Sequence, residues 1–335
     1  MARLLARRLL FMGFVLWGVS LVTFFLSRVA PGDPARLIAG PHANAAALAN
    51  VRAIYGLDKA LPIQYLQYLT GLLHGDLGTS FVTRRPVLDD LAAFFPATIE
   101  LTLLALLVGS LSGVVIGVVS ALRVGSATDG VLRFVAIAGL SMPAFWLAIL
   151  LQLIVYSRLG LLPFGGRLDT GMAAPPQVTG LMTVDSLLAG QWTTFAAAVR
   201  HLVLPVVTLA LAEVGLMARV VRTSMLEVVG ADFMRTAAAK GLSPRRIIVA
   251  HGLRNALMPA VTVLGLETAL LAGGVFLVET IFAWPGVGRY AYDAILAADY
   301  NAMMGVTVAG AAIYVVINLV VDVSYLYLDP RVRYT

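Results

Sequence analysis

Residues 101–122 read LTLLALLVGSLSGVVIGVVSAL and contain no charged side chain. Glu100 precedes this run and Arg123 follows it. At a rise of about 1.5 Å per residue, roughly 20 apolar residues cross the hydrocarbon core of a bilayer as one helix. The run therefore predicts a transmembrane helix, and it sets the class of fold for the chain around it.

Five further segments have the same character, although two of them contain glutamates. These predicted spans cover residues 9–27, 134–157, 201–218, 259–282 and 300–321. Of the 335 residues, 60% are hydrophobic and only 13% are charged, and the mean hydropathy is +0.90. Such a composition excludes an ordinary soluble enzyme, a disordered protein and a coiled coil. We predict an all-α polytopic membrane protein with six transmembrane helices. We interpret the first span as retained, because its apolar run is long for a signal peptide.

Basic residues are spread unevenly between the predicted loops. With the N-terminus inside the cell, the cytoplasmic segments hold 14 Lys or Arg residues against four acids, and the outer segments hold ten against nine. Basic residues near the ends of transmembrane helices accumulate on the cytoplasmic side. We therefore expect both termini to be cytoplasmic. The net charge of +6 then follows from topology and requires no nucleic-acid partner.

Several classes of site are excluded by the residues that the sequence lacks. There is no cysteine, and no two histidines stand four residues apart. Disulfides, thiolate metal sites and cysteine nucleophiles are therefore excluded, and a histidine metal site is not expected. No glycine is followed directly by lysine, so the chain cannot form a P-loop for ATP. We expect neither catalytic residues nor a cofactor in this chain.

The longest predicted cytoplasmic segment, residues 219–258, carries local signals for two short helices. Asp232 is an acceptable N-cap and Gly241 an acceptable residue after a helix end, which predicts a helix of about two turns between them. Ser243 followed by Pro244 predicts the start of a second helix.

The first of these helices has a face that a partner protein could bind. Phe233, Thr236, Ala237 and Lys240 recur at the spacing of one helix face. A short helix with small side chains and one aromatic side chain fits a groove on another protein. A basic loop that simply faces water explains the same residues, and composition does not separate the two interpretations.

This segment resembles the cytoplasmic loop of ABC importer permeases, in the branch that transports peptides and nickel. The residues that carry the resemblance are Arg235-Thr236-Ala237-Ala238-Ala239-Lys240-Gly241-Leu242. Other motifs of the branch follow in order along the chain: Pro31-Gly32-Asp33-Pro34, Gly56-Leu57-Asp58, Gly75-Asp76-Leu77-Gly78, Glu279-Thr280-Ile281-Phe282 with Trp284-Pro285-Gly286-Val287-Gly288, and Asp322-x-x-Tyr325 with Asp329-Pro330-Arg331. Within the branch, residues 158–200 look like the dipeptide permease B subunits.

The resemblance implies a type I ABC importer fold and a division of labour between subunits. A second homologous permease subunit would complete the pathway, two cytoplasmic ATPases would bind ATP and Mg²⁺, and an extracytoplasmic binding protein would deliver substrate. It also implies that the loop docks in a cleft of one ATPase. The residues concerned are Asp232, Phe233, Arg235, Thr236, Ala237, Lys240 and Gly241, with Arg245 and Arg246 beside acidic residues of the ATPase.

Two acids lie within predicted spans, where ionisable side chains are candidates for function. Glu213 and Glu267 are candidates for the translocation pathway, in which a carboxylate would attract the ammonium end of a peptide. The alternatives are a pair with an arginine of the partner subunit, or protonation in place.

Structural roles are expected for a second set of residues near the ends of spans. They are Glu279, the turn Trp284-Pro285-Gly286, and Asp322, the last through an ion pair with Arg331 or Arg333.

These observations predict a multi-pass permease subunit of a bacterial inner membrane, which imports dipeptides or short oligopeptides by ATP-driven alternating access. The same role in a nickel-chelate or glutathione importer stays open, as does a proton-coupled carrier that uses Glu213 or Glu267. We expect residues 1–97 to form the first helix and an extracytoplasmic segment, and residues 98–335 to form the five-helix core with its coupling loop.

Overall fold

A computed structural model describes residues 2–29, 34–39, 43–54, 56–272 and 275–328. Within these ranges the chain forms helices joined by turns and loops. In chain order they are α1 (Ala2–Val29), α2 (Pro34–Ala39), α3 (Ala45–Ile54), α4 (Leu61–Leu73), α5 (Val87–Leu122), α6 (Ala127–Ser141), α7 (Ala144–Leu151), α8 (Met182–Leu188), α9 (Trp192–Val229), α10 (Asp232–Ala239), α11 (Pro244–Arg246), α12 (Arg254–Ala272), α13 (Phe276–Ile281), α14 (Val287–Leu296) and α15 (Tyr300–Leu328). π-helical turns extend α7 to Arg158 and join α11 to α12.

The helices supply six candidate crossings of a membrane. Five are long and apolar enough on their own, within α1, α5, α9, α15 and the continuous segment from α11 into α12. Helices α6 and α7 pass the same test together, with a bend of 104° between them. Counted as one crossing, this bent pair gives the six predicted spans and confirms a polytopic helical membrane fold.

Four predicted spans have different boundaries in the structure. The fourth is longer than predicted, because α9 runs over Trp192–Val229 rather than over residues 201–218. Helix α5 begins at Val87 rather than near residue 101, because Glu100 lies inside the helix with its carboxylate bonded within the protein. The third span is not one straight helix, since the chain breaks at Met142-Pro143. The fifth crossing covers Pro244–Thr268, and α13 is a separate short helix beyond it.

Helices α5 and α9, the two longest, pack closely against each other. A Cβ atom on Gly109 would lie 2.7 Å from the side chain of Glu213, and one on Gly113 would lie 2.6 Å from Met217. Gly117 continues the contact one turn further along. The absence of side chains at these positions lets the two backbones approach, as small residues do at contacts between transmembrane helices.

Two ends of the bundle can be distinguished by the loops that they carry. The turn between α5 and α6 and the segment from α10 to α11 lie at one end, which we call the predicted cytoplasmic end. The long loop between α7 and α9 and the residues from α13 to α14 lie at the other, the predicted extracytoplasmic end. Helix α5 runs unbroken across residues 97 and 98, where the sequence analysis divides the chain, and that division stays a prediction.

Candidate functional site

Helix α10 ends in a Schellman motif. The N–H of Gly241 donates to the carbonyl of Ala238 at 2.9 Å, and the N–H of Leu242 donates to that of Ala237 at 3.4 Å. Gly241 has φ of +75°, in the left-handed region where glycine is favoured. The predicted helix end is therefore confirmed.

The start of α10 differs by one residue from the prediction. Ala231 precedes the helix with an extended backbone, and Asp232 is the first helical residue rather than the N-cap. Its carboxylate lies 3.6 Å from the guanidinium of Arg235, and both side chains are largely exposed. Ser243 does occupy the N-cap of α11, with Pro244 in the first turn, as predicted.

The inner face of α10 rests on its own chain. Met234 and Ala237 are each 6% exposed. A Cβ atom on Gly252 would lie 3.2 Å from the terminal methyl of Met234 and 3.7 Å from that of Met225. Helix α10 is thus seated on the π-helical turn that leads into α12, whose Gly252 also lies close to Met225 of α9. Ala237 belongs to this seat, and its predicted place on the outward face was wrong.

The outward face of α10 is left uncovered by the described part of the chain. Phe233 is 43% exposed, and Thr236 and Lys240 are exposed beside it. Arg245 and Arg246 add two exposed cations on α11. An exposed aromatic ring on a helix that is fixed from behind is suited to entering a groove on another protein.

A buried ion pair joins three helices at the same end of the bundle. Asp129 of α6, whose side chain is 2% exposed, accepts a hydrogen bond from the Ser120 hydroxyl of α5 at 2.5 Å. The guanidinium of Arg222 in α9 donates to the same carboxylate at 3.1 and 3.2 Å. The sequence analysis did not find this cluster. The Ser126 hydroxyl caps α6 by accepting a hydrogen bond from the N–H of Asp129.

Glu213 lies in the interface between α5 and α9. Its side chain packs on Gly109, and one carboxylate oxygen accepts a hydrogen bond from the Ser110 hydroxyl at 3.2 Å. The second oxygen is buried and has no hydrogen-bond partner in the described structure. Glu267 lies on α12, which packs against both α5 and α9. The two predicted acids therefore lie on transmembrane helices that contact each other.

Glu279 is fully buried at the predicted extracytoplasmic end, at 0% exposure. Its carboxylate accepts from the Thr98 hydroxyl of α5 at 2.7 Å and from the N–H of Arg289 at 3.0 Å. A Cβ atom on Gly286 would collide with this carboxyl group, so only glycine fits the close approach. These contacts are those of a structural residue, and the role assigned to Glu279 stays a prediction.

We call the close contact between Glu279 and Gly286 the clamp. Trp284 lies beside it and is 1% exposed. Its indole N–H donates to the carbonyl of Ala97 at 2.9 Å. The guanidinium of Arg167, from the long loop between α7 and α9, lies 5.7 Å from the ring centroid. Pro285 lies between Trp284 and the glycine of the clamp. The turn and the long loop therefore pack on the same part of α5.

Glu100 holds the long loop to the bundle. Its carboxylate, 2% exposed, bonds to the Arg167 guanidinium at 2.5 Å and accepts from the N–H of Thr183 at 2.7 Å. Arg167 also donates to the carbonyl of Gly180 at 2.9 Å. The sequence analysis missed this network. Two signals in the sequence were left unused. One is an acid directly before an apolar run, and the other is an arginine in a Gly-Gly-Arg turn.

Asp185 organises the part of the loop that leads into α8. Burial by itself raises the pKa of this carboxyl group. The hydroxyl of Thr179 at 2.7 Å and the N–H groups of Thr179 and Gly180 at 2.8 and 2.9 Å outweigh that cost. They hold the pKa of Asp185 below its usual range.

A cavity of about 260 Å³, with apolar walls and several polar side chains, opens at this end between α5, α14 and the residues before α5. Asp299 is fully buried against it and accepts from the Ser80 hydroxyl at 2.6 Å. The Tyr290 hydroxyl donates to Asp90 at 3.1 Å, and burial together with this carboxylate raises the pKa of Tyr290. Asp322, the last residue predicted to be structural, lies with Arg331 and Arg333 outside the side chains that the structure describes.

Comparison with known proteins places these features in a family. The profile of the family described as binding-protein-dependent transport system inner membrane component matches residues 113–334. The profile for the N-terminal part of membrane components of these transport systems matches residues 1–102.

Several curated proteins match over almost their whole length. A probable D,D-dipeptide transport system permease protein of Escherichia coli K12 is 46% identical, over 95% of this chain and 94% of the relative. The dipeptide transport system permease protein of Alkalihalophilus pseudofirmus is 42% identical, over 98% of each. The glutathione transport system permease protein of Salmonella choleraesuis is 39% identical, over 94% of each.

Proposed function

This chain belongs to the family of binding-protein-dependent transport system inner membrane components, and on that premise we propose that it is the transmembrane permease subunit of an ATP-driven importer of dipeptides. The proposal that the substrate is a dipeptide rests on sequence identity, over nearly the full length of the chain, to relatives named for dipeptide transport. The six candidate crossings fit its place in the inner membrane. Within the described part of the chain, the outward face of α10 is left exposed and is available to a partner protein.

The chain itself is proposed to be non-catalytic. Partner ATPases bind and hydrolyse ATP with Mg²⁺, and a binding protein brings substrate to the predicted extracytoplasmic end. We further propose a complex of two permease subunits, two ATPases and one binding protein, with both termini of this chain cytoplasmic.

The outward face of α10 is the proposed contact with an ATPase. Phe233 enters the ATPase cleft, and the seat formed by Met234 and Ala237 carries the resulting displacement into the membrane. Met234 lies beside Gly252 in the turn before α12, so a push on α10 reaches that transmembrane helix directly. Rigid-body movement of packed helices is the usual route for such coupling.

The buried ion pair spreads that movement through the bundle. Arg222 of α9 holds Asp129 of α6 and Ser120 of α5, so these three helices shift together at the predicted cytoplasmic end. Closure and opening of the ATPases then rock the permease between inward-open and outward-open states.

Glu213 and Glu267 are proposed to contribute to the translocation pathway. A buried carboxylate oxygen without a partner is costly unless it is protonated or gains a ligand. The ammonium group of a passing peptide would supply that ligand in one of the transport states. Conversion of both acids to glutamine is expected to lower uptake of dipeptides while leaving assembly of the complex intact.

Glutathione is the second candidate substrate, supported by the glutathione permease relative. It carries the same ammonium group as a dipeptide but has a longer backbone and an extra carboxylate. Transport assays with both substrates separate the two proposals.

The test is uptake by the purified complex in liposomes. The complex should accumulate a labelled dipeptide when ATP and the binding protein are supplied, and glutathione should compete weakly. Uptake that needs no ATPase and collapses with the proton gradient would overturn the proposal in favour of a proton-coupled carrier. Strong competition by glutathione would move the substrate to the second candidate.

A further inference from the structure

A small cavity at the predicted cytoplasmic end combines aliphatic walls with three arginines. It measures about 120 Å³ and lies between α5, α6 and α9. Its aliphatic lining includes Ile116, Leu132 and Ile137, and its cations are Arg133, Arg219 and Arg222.

The cavity carries more positive than negative charge. Asp129 is the acid beside it, and its side chain is already bonded to Arg222, with Arg133 at 3.7 Å. Arg219 is exposed and forms no ion pair within the described part of the chain. Three guanidinium groups therefore meet one carboxylate, which leaves an excess of two positive charges next to an apolar surface.

The surface beside these arginines is apolar and uncovered. Ile137 is 56% exposed and Phe134 is 72% exposed, both on α6. Such side chains face lipid in a membrane protein, and guanidinium groups at the edge of a lipid-facing surface lie at the depth of the headgroups. Arginine also matches the geometry of phosphate oxygens through paired N–H donors.

We propose that this cavity binds the phosphate of an anionic phospholipid, with an acyl chain lying along Ile116 and Ile137. The phosphate bridges Arg133 and Arg219, and Arg222 stays on Asp129 and shapes the floor of the site. The lipid occupies the junction of the three helices that the Ser120–Asp129–Arg222 cluster ties together. This inference depends on the location of the chain in a membrane and not on the substrate that it transports.

The experiment counts lipids on the purified complex by native mass spectrometry. The complex is delipidated in detergent and titrated with phosphatidylglycerol, and separately with phosphatidylcholine. The test variants are Arg219→Gln and Arg133→Gln, which remove the excess cations and keep the buried pair. The matched control is Arg254→Gln, because this arginine is exposed and does not line the cavity.

The wild-type complex should retain phosphatidylglycerol in preference to phosphatidylcholine. Each test variant should weaken its retention about fivefold, since a basic side chain near the membrane surface contributes on the order of 1 kcal/mol to binding of anionic lipid. The control should match the wild type, and inorganic phosphate at millimolar concentration should not displace the lipid.

Three results would overturn the proposal. Equal retention of phosphatidylglycerol by the test variants and the wild type would show that these arginines do not bind the lipid. Displacement by inorganic phosphate would assign the cavity to a free anion. Absence of bound lipid from the wild-type complex, with loss of the second permease subunit from the test variants, would assign the arginines to a contact between subunits.

Discussion

The two ends of the bundle are held in different ways. At the predicted extracytoplasmic end, buried carboxylates bind segments that are far apart in sequence, as Glu279 does with Thr98 and Glu100 with Arg167. At the predicted cytoplasmic end, α10 is held by only two buried side chains of its own, Met234 and Ala237. Its outward face is exposed within the described part of the chain. A polar network that is buried and satisfied fixes one geometry. A helix on a narrow apolar seat can instead move with whatever binds its exposed face.

This contrast fits a protein in which one end frames a path and the other responds to a partner. Substitutions at the first end should damage stability, and substitutions on the outward face of α10 should damage transport alone.

Arg167→Ala should give the largest loss. It leaves the buried Glu100 carboxylate with Thr183 but without its cation, which costs about 3 kcal/mol of the free energy of unfolding. A lower melting temperature in detergent and faster proteolysis within residues 168–178 are the expected readouts. Arg158→Ala, at an exposed arginine near the same loop, is the control. Equal effects of the two variants would contradict the role of the network.

Gly286→Ala should destabilise by about 2 kcal/mol through overpacking against Glu279. The backbone at this position, with φ of −106°, accepts alanine without strain, so the collision is the only penalty. Gly130→Ala is the matched control, because a Cβ there meets nothing within 4 Å and the residue is helical. Thermal unfolding of both variants checks the prediction. If Gly286→Ala were as stable as the wild type, the close contact with Glu279 would not contribute to stability.

Asp185→Asn should change how the long loop responds to acid. The pKa of Asp185 is depressed in the folded chain, so its contribution to stability is present above the usual carboxyl pKa of about 3.9 and is lost as pH falls through the folded value. The wild-type loop should become easier to cleave by an acid-active protease between about pH 5 and 3.

In Asp185→Asn the loop should already be more accessible at pH 5, and acid should add less to its cleavage. Asp58→Asn, at an exposed acid, should behave as the wild type does. Identical pH profiles for Asp185→Asn and the wild type would show that this carboxylate does not hold the loop.

Phe233→Ala should change stability least, within about 0.5 kcal/mol, because the ring is exposed. Uptake of dipeptide should nevertheless fall about tenfold or more, as expected when an aromatic anchor of an interface is lost. The neighbouring Met234→Ala is the comparison, since it should cost about 2 kcal/mol of stability by opening a cavity in the seat. Normal uptake by Phe233→Ala would mean that the outward face of α10 is not the docking surface.

Sequence reasoning succeeded where the determinants are local. The end of α10 at Gly241 and the start of α11 at Ser243-Pro244 depend on residues within one helical turn, so their signals are legible in a short window. The apolar runs gave the number of crossings for the same reason.

It failed where partners lie far apart in the chain. Glu100 appeared to end a helix because its bond to Arg167 is 67 residues away in sequence. Asp129 and Arg222 were seen only as loop charges, because 93 residues separate them. A proline inside the third predicted span disfavours a straight helix, but the size of the bend, 104°, depends on how α6 and α7 pack against the rest of the bundle. Ala237 was placed outward because periodicity gives a face and does not say which face is covered.

The most direct test of the account uses the absence of cysteine from this chain. A single Thr236→Cys substitution places one thiol on the outward face of α10 and keeps Phe233, and Val124→Cys places a reference thiol on the exposed turn between α5 and α6. The rate of reaction with a maleimide is measured for each thiol, in the chain alone and in the complex with its ATPases. We predict that the thiol at residue 236 reacts readily in the isolated chain and is protected in the complex, where a cross-linker joins it to an ATPase. Equal reactivity in both, with no cross-link, would contradict it.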